Sequence, residues 1–304
     1  QPLRHYTPRR ALLYVPASDL KKLKKALGLD IDCITMDCED GVALNKKAEA
    51  RANIRAILDE GKPEKKRKYD LAVRVNGMET PYFKEDIASI AGGNFLPDTI
   101  VLPKVHGSDD LKAVNSPRRI QAKLQLIITI ESALAFVNLE KICRSALELA
   151  RTSKFIPVAL LFGSDDFLAS IGTTRTESSL EALYARQKLV IFAKAFNLQV
   201  IDMVYIKYKD MEGLQHQSME GVSFGFTGKQ IVHPGQIQIV QETFFPSQAR
   251  IEWAANLLKA FHQHQQDGKG AFSYDGNMID MPTVKQAQNI MDLVKAVMTG
   301  KDNK

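Results

Sequence analysis

The chain is short of cysteine, of long apolar runs and of any nucleotide-fold signature. Its three cysteines, Cys33, Cys38 and Cys143, form no CxxC pair, and an odd number in a chain of 304 residues does not make a disulfide framework. Free thiols in a reducing compartment are expected. The longest apolar runs, such as Leu126 to Ile130 and Val158 to Phe162, fall far short of the roughly 20 residues that cross a bilayer. They are expected as buried strands, and no membrane partner is expected. The chain opens Gln1-Pro2-Leu3-Arg4 without an initiator Met or a charged-then-apolar signal, so any targeting segment is expected to have been removed or never included. No GxGxxG follows the first β-rich run, which weakens a dinucleotide-binding reading.

What is present fits a large globular domain, with 45% hydrophobic and 25% charged residues. The net charge of +6 is concentrated in Lys21 to Lys25 and Lys62 to Lys68. No aromatic residues interleave with these lysines as single-strand binding would require, so no nucleic-acid partner is expected. A patch that small suits a ligand with a few phosphates.

Short β-branched runs recur at Ala11 to Val15, Cys33 to Asp37, Leu71 to Val75, Thr99 to Lys104, Gln125 to Ile130, Pro157 to Phe162, Gln199 to Val204 and Lys229 to His233. Segments with helical spacing lie between them, for example Ala43 to Leu58, Leu180 to Phe196 and Gln236 to Phe244. This alternation requires a parallel sheet, and eight units match a closed TIM (β/α)8 barrel better than an open doubly wound sheet. The barrel is expected over residues 1–245, followed over 246–304 by a C-terminal helical extension. In that extension Ala271 to Met281 reads as a loop suited to a lid or an arm over a neighbouring subunit, carrying Tyr274, Asp275 and Asp280 and punctuated by Gly276 and Pro282.

A TIM barrel carries its active site at the C-terminal ends of its strands. There the sequence places Asp37, Glu39, Asp40, Arg74, Asn76, Lys104, Glu131, Asp165, Asp166 and His233. Any one of these could be a cap or a surface charge, but polar residues at six strand ends agree. Glu131 and Asp166 follow the two most apolar strands, where an ionised carboxylate requires a counter-charge. Two carboxylates without His or Cys select a hard cation, and Mg2+ commonly keeps only one or two protein carboxylates beside water and substrate oxygens. Adjacency alone leaves open whether Asp165 or Asp166 is the ligand. Arg74 and Lys104 add positive charge suited to an enolate oxygen, and Lys104 has a competing reading as a Schiff-base amine. Lys21 and Lys25 share one helical face, which reads equally as a solvated surface or as a phosphate clamp. His233 could be a hydrogen bonder at the core edge instead of a catalyst.

Several ordered motifs together resemble the citrate lyase beta-subunit and malyl-CoA lyase family. They are Asp37-Cys38-Glu39-Asp40-Gly41-Val42, Lys47-Ala48-Glu49-Ala50-Arg51, Val73-Arg74-Val75-Asn76, Leu102-Pro103-Lys104-Val105, Ile130-Glu131-Ser132-Ala133, Phe162-Gly163-Ser164-Asp165-Asp166 and the run from Gly228 to Pro234. Ile279-Asp280-Met281-Pro282 and Tyr184-Ala185-Arg186-Gln187-Lys188 are similar to the animal mitochondrial members of that family. Where relatives often have Pro-Gly after the first strand this chain has Pro16-Ala17-Ser18, and Cys38 and Gly41 stand where Leu and Ala are usual. The resemblance implies a mitochondrial homotrimer with Mg2+ held by Glu131 and Asp166 and Arg74 on the acyl carbonyl. It further implies coenzyme A lying across Tyr14, Lys21 and Lys25 and reaching Val232 and His233, with Asp280 delivered from a neighbouring subunit as acid–base residue. The expected reaction is cleavage of (S)-citramalyl-CoA to acetyl-CoA and pyruvate. Alternatives are condensation of acetyl-CoA with a 2-keto acid, as in a malate or citramalate synthase, and a citrate lyase beta-type subunit dependent on partners.

Overall fold

The computed structural model describes residues 7–64, 69–114, 123–266, 272–274 and 276–298. Two compact units divide the chain, one of residues 9–65 and 69–244, the other built chiefly on the segment from Phe245 onward.

The first unit is a closed barrel of eight parallel strands in sequential order. They are β1 (Ala11–Pro16), β2 (Cys33–Asp37), β3 (Asp70–Arg74), β4 (Thr99–Leu102), β5 (Leu124–Ile130), β6 (Phe155–Phe162), β7 (Gln199–Asp202) and β8 (Gly228–Ile231). Closure comes from β1 pairing with β8, Ala11 opposite Lys229 and Leu13 opposite Ile231. Each strand is followed by a helix, from Leu20–Leu27 after β1 to Ile237–Thr243 after β8, as a right-handed crossover between neighbouring parallel strands requires. The expected strands all form. β4 stops at Leu102 instead of Lys104 because Pro103 offers no N–H to the ladder and Lys104 turns left-handed at φ 54°.

The two-residue period of a strand sorts the side chains into two cores. Leu13, Ile34, Val73, Ile100, Ile128 and Leu160 face outward to the helices, and a fully buried Leu or Ile there contributes about 1.5–3 kcal/mol. Leu12, Cys33, Ala72, Val101, Ile127, Ala159, Leu161 and Ile201 fill the barrel interior. Counting by twos upward from this inner layer gives Tyr14 on β1, Asp37 on β2, Arg74 on β3 and Glu131 after β5. Counting downward gives Asp70, Thr99 and Gln125, which meet at the floor. There the fully buried Arg9 guanidinium bonds Asp70, Gln125 and, at 3.3 Å, Thr99.

The second unit has helices Gln248–Gln266 and Met281–Met298 with a short hairpin, β9 (Phe272–Tyr274) antiparallel to β10 (Asn277–Ile279). Ala254, Leu257, Ile279, Val284 and Ala287 form its core. The segment read as a loop is therefore a hairpin. Its strands are three residues each, too short to display alternation in sequence, and Gly276 at φ 74° supplies the turn. Asp275 and the Gly-rich stretch 267–270 lie outside the described residues. Among the described residues no helix is long and apolar enough to cross a membrane.

Candidate active site

The mouth of the barrel gathers Asp37, Glu39, Arg74, Lys104, Glu131 and Asp166. Arg74 donates through Nε and Nη2 to the two oxygens of Asp37, both at 2.7 Å, while Nη1 lies 2.8 Å from Glu39 Oε2. A bidentate pair of this kind sets the plane of the guanidinium. Of its five N–H groups three are engaged, which leaves two for an incoming oxygen.

Lys104 reaches the same mouth by breaking strand alternation. Counted by twos from Val101 it falls on the outward side, but its left-handed backbone, at φ 54°, turns it back toward the interior. A non-glycine residue in that region costs of order 1–3 kcal/mol and persists only where its surroundings hold it. Here its backbone N–H donates to Glu131 Oε1, and its ammonium lies 2.8 Å from Asp166 Oδ1, 3.6 Å from Glu39 and 4.0 Å from Asp40. Burial opposes the ammonium charge, but Glu131, Asp166 and Glu39 outweigh it and hold Lys104 protonated. A protonated amine does not add to a carbonyl, so these ion pairs weigh against the Schiff-base reading.

Asp165 and Asp166 are told apart by Arg175. Its guanidinium takes Asp165 Oδ1 at 2.9 and 3.1 Å together with the Ser164 hydroxyl and Val204 O. Asp165 is drawn away, and Asp166 alone faces Lys104 and Glu131. Gly163, just before them, has no room for a side chain: a Cβ there would come within 2.4 Å of Glu131 Oε2.

Charge bears on whether a divalent cation suits this place. Four inner carboxylates, Asp37, Glu39, Glu131 and Asp166, face two cations, Arg74 and Lys104, with the exposed Asp40 at the rim 4.0 Å from Lys104. Burial pushes Glu131 up to about 7 against the pull of Lys104, and Glu39 up to about 7 against Arg74. With the four inner carboxylates ionised, a state that a bound cation favours, the excess of two negative charges equals the charge of one hard divalent ion. Glu131 and Asp166 are an oxygen-only pair of the kind Mg2+ uses when water and substrate complete its octahedron. Among the described residues no group of three or more His, Cys, Asp or Glu that could hold a metal ion is found.

The remaining expected residues divide. Lys21 and Lys25 are exposed on Leu20–Leu27, and neither has an ion-pair partner among the described residues, whereas their neighbours Lys22 and Lys24 pair with Asp19 and Glu60. Val232 and His233 are exposed after β8, but their backbone N–H groups both donate to Gln236 Oε1, at 3.0 and 3.1 Å. His233 Nδ1 accepts from Gly235 N, and its ring stacks on Tyr208 at 4.9 Å. Asn76 is committed to Asp86 through its backbone and side-chain nitrogens. Asp280 belongs to the second unit. There it begins Met281–Met298, accepting from Thr283 N at 3.1 Å and Thr283 Oγ1 at 2.7 Å, bonds that hold it below the usual carboxylate range.

The model of the HpcH/HpaI aldolase/citrate lyase family matches residues 10–234, the barrel with every residue of this mouth. The chain belongs to that family. Within HpcH/HpaI aldolase/citrate lyase proteins it is 44% identical over 302 residues to the Homo sapiens protein named mitochondrial citramalyl-CoA lyase, covering 96% of this chain and 87% of the relative. It is 31% identical to citrate lyase subunit beta of Leuconostoc mesenteroides, covering 95% and 94%. Among solved structures, Mycobacterium tuberculosis CitE in complex with magnesium, acetoacetate and coenzyme A superposes with a TM-score of 0.73 at 26% identity, covering 93% of this chain and 96% of that one.

Three residues of the site carried no assigned part in the sequence reading. Asp37 is the anchor of Arg74. Buried Lys47 donates to Cys38 O at 2.7 Å and Glu39 O at 2.8 Å, clamping the acidic loop. Arg175 separates the two aspartates. Lys47 was visible as a lysine within a family motif; nothing local distinguished Arg175.

Proposed function

We propose that the chain is a magnesium-dependent lyase that cleaves (S)-citramalyl-CoA into acetyl-CoA and pyruvate. The observation that carries this reading is the excess of two carboxylate charges around Glu131 and Asp166, beside an Arg74 with two free N–H groups. The names of the relatives at 43–44% identity support the substrate.

Cleavage breaks the bond between the hydroxyl-bearing carbon and the CH2 next to the thioester. The hydroxyl loses its proton, its oxygen becomes the pyruvate carbonyl, and the electron pair of the broken bond passes into a thioester enolate. Protonation of that enolate at carbon gives acetyl-CoA. Arg74, with its plane set by Asp37, presents N–H groups to the enolate oxygen, the type of fixed donor worth about 10²–10³ in rate. Lys104 keeps its charge beside Asp166 and balances the acidic mouth without entering the covalent chemistry. Magnesium bound by Glu131 and Asp166 would supply Lewis-acid polarisation at the oxygens of the 2-keto acid. Asp280 enters as the acid–base residue from a neighbouring subunit of a homotrimer; its bonds from Thr283 keep it ionised in the free chain. Lys21 and Lys25, without carboxylate partners among the described residues, take the phosphates of coenzyme A, with Tyr14, Val232 and His233 further along the same ligand. A mitochondrial location follows the names of the same relatives.

A second reading, condensation followed by thioester hydrolysis, is favoured by the 32% identical relative named (3S)-malyl-CoA thioesterase. Dependence on partners is the third, given the relative named citrate lyase subunit beta. Incubating the isolated chain with citramalyl-CoA or malyl-CoA, with Mg2+ or chelator, and identifying products by mass spectrometry separates them. Acetyl-CoA and pyruvate only with Mg2+ is expected. Free coenzyme A with citramalate indicates a hydrolase, and no turnover indicates a dependent subunit.

A further inference from the structure

Tyr14 is expected at the substrate, yet its hydroxyl is already engaged. It donates to Gln230 Oε1 at 3.2 Å, while the Arg74 guanidinium carbon lies 4.4 Å from the centre of its ring. Gln230 is 5% exposed, and its Nε2 donates to Phe162 O at the end of β6 and Asp202 O at the end of β7, both at 2.9 Å. The carboxamide has only one orientation that fits: two carbonyl oxygens require its NH2 group, which leaves its oxygen for the hydroxyl. One side chain on β8 therefore ties β6 and β7 to β1 beneath the mouth.

Asp37 sets the plane of the Arg74 guanidinium by two parallel bonds, but such a pair leaves tilt about the axis through the two carboxylate oxygens. The tyrosine ring lies against the guanidinium face and blocks that tilt, by contact and by cation–π attraction. The hydroxyl lies on the ring's Cβ–Cγ axis, so its bond to Gln230 does not stop rotation about that axis but fixes where the far end of the ring lies, and with it the side-chain rotamer that sets the ring beside Arg74. Burial keeps the Tyr14 hydroxyl protonated and hence a donor.

We propose that Gln230 is a positioning residue, which through the Tyr14 hydroxyl fixes the ring that backs Arg74, and that Tyr14 serves the site by its face and not by donating to substrate. The inference rests on the function proposed above, with Arg74 as the enolate donor.

The test has one readout tied to activity and one independent of it. The Nε–H proton of Arg74, on a guanidinium whose carbon lies 4.4 Å from the ring centre and bonded to Asp37, should report both the ring current and that bond in its NMR signal, and the signal is assigned by its loss in Arg74→Lys. Tyr14→Phe and Gln230→Met should each displace that signal, and the double variant should displace it no further. On citramalyl-CoA each variant should lower kcat about tenfold with KM changed less than about twofold, again without addition in the double variant. Gln230→Met also removes the bonds to β6 and β7; if it does not fold, Tyr14→Phe decides, because it leaves both of those bonds intact. An unmoved Arg74 signal or an unchanged kcat in Tyr14→Phe overturns the proposal, and Gln230 is then a strut of the barrel alone. If the variants displace the signal but the wild-type chain cleaves no CoA thioester, the link from Gln230 to Arg74 is upheld and the proposed function is overturned instead.

Discussion

The floor and the mouth of the barrel are both layers of charged side chains stacked on the same apolar core, and they are balanced differently. At the floor Arg9 meets Asp70 one to one, with Thr99 and Gln125 filling the remaining bonds, and both ionised groups are fully buried. Beside it Arg10 meets Asp32 in the same proportion, with the Asp32 oxygens at 2.7 and 2.9 Å. At the mouth four carboxylates face two cations, and two of those carboxylates are pushed up to about 7. A closed, neutral polar layer stabilises; a layer that is incomplete in charge and partly open binds. The position of each follows from the fold, since conserved chemistry in such barrels sits where the strands end and stability where they begin.

The largest effect that can break this comparison lies at the floor. Asp70→Ala leaves the Arg9 guanidinium buried without its partner, a change that destabilises by about 3–5 kcal/mol. Urea unfolding should show this loss, while the fraction still folded keeps its Mg2+ affinity. If Mg2+ binding weakens in step with stability, floor and mouth are not separable.

Next in size is Asp280. Asn at a helix start caps nearly as well as Asp, so Asp280→Asn should leave stability unchanged and lower kcat by about 10²–10⁴. Mixing it with Arg74→Ala chains, under conditions where subunit exchange is demonstrated, should restore part of the activity. No recovery would place Asp280 with its own barrel or outside the chemistry.

The smallest effect is expected at Lys21 and Lys25. Replacing both by Ala should raise KM for the thioester about five- to tenfold at low salt and leave kcat within about twofold, the pattern of a lost contact to a remote phosphate. An unchanged KM would return these lysines to an ordinary solvated face.

Much of the mouth could be read before any coordinates because strand period and strand ends are local properties. Asp37, Arg74, Glu131 and Asp166 each follow an apolar run that announces itself. What stayed closed depends on residues far apart in sequence. Arg175 chooses between Asp165 and Asp166 from ten positions away, across a turn with no periodic signal. Gln230 was one polar residue in a strand, and only the pairing of β8 with β1, which sets it opposite Leu12, brings its side chain to the Tyr14 hydroxyl. Lys104 was expected at the mouth, but not the left-handed backbone that brings it there against strand alternation. The hairpin Phe272–Ile279 was hidden by the shortness of its strands.

The claim on which the rest depends is that the charge imbalance of the mouth is the seat of one divalent ion. Isothermal titration of the wild-type chain with Mg2+ should give one site per chain, weakened at least tenfold in Asp166→Asn and absent in Glu131→Gln/Asp166→Asn, with Asp165→Asn binding as wild type. An isotherm that is the same in wild type and in the double variant would contradict the assignment.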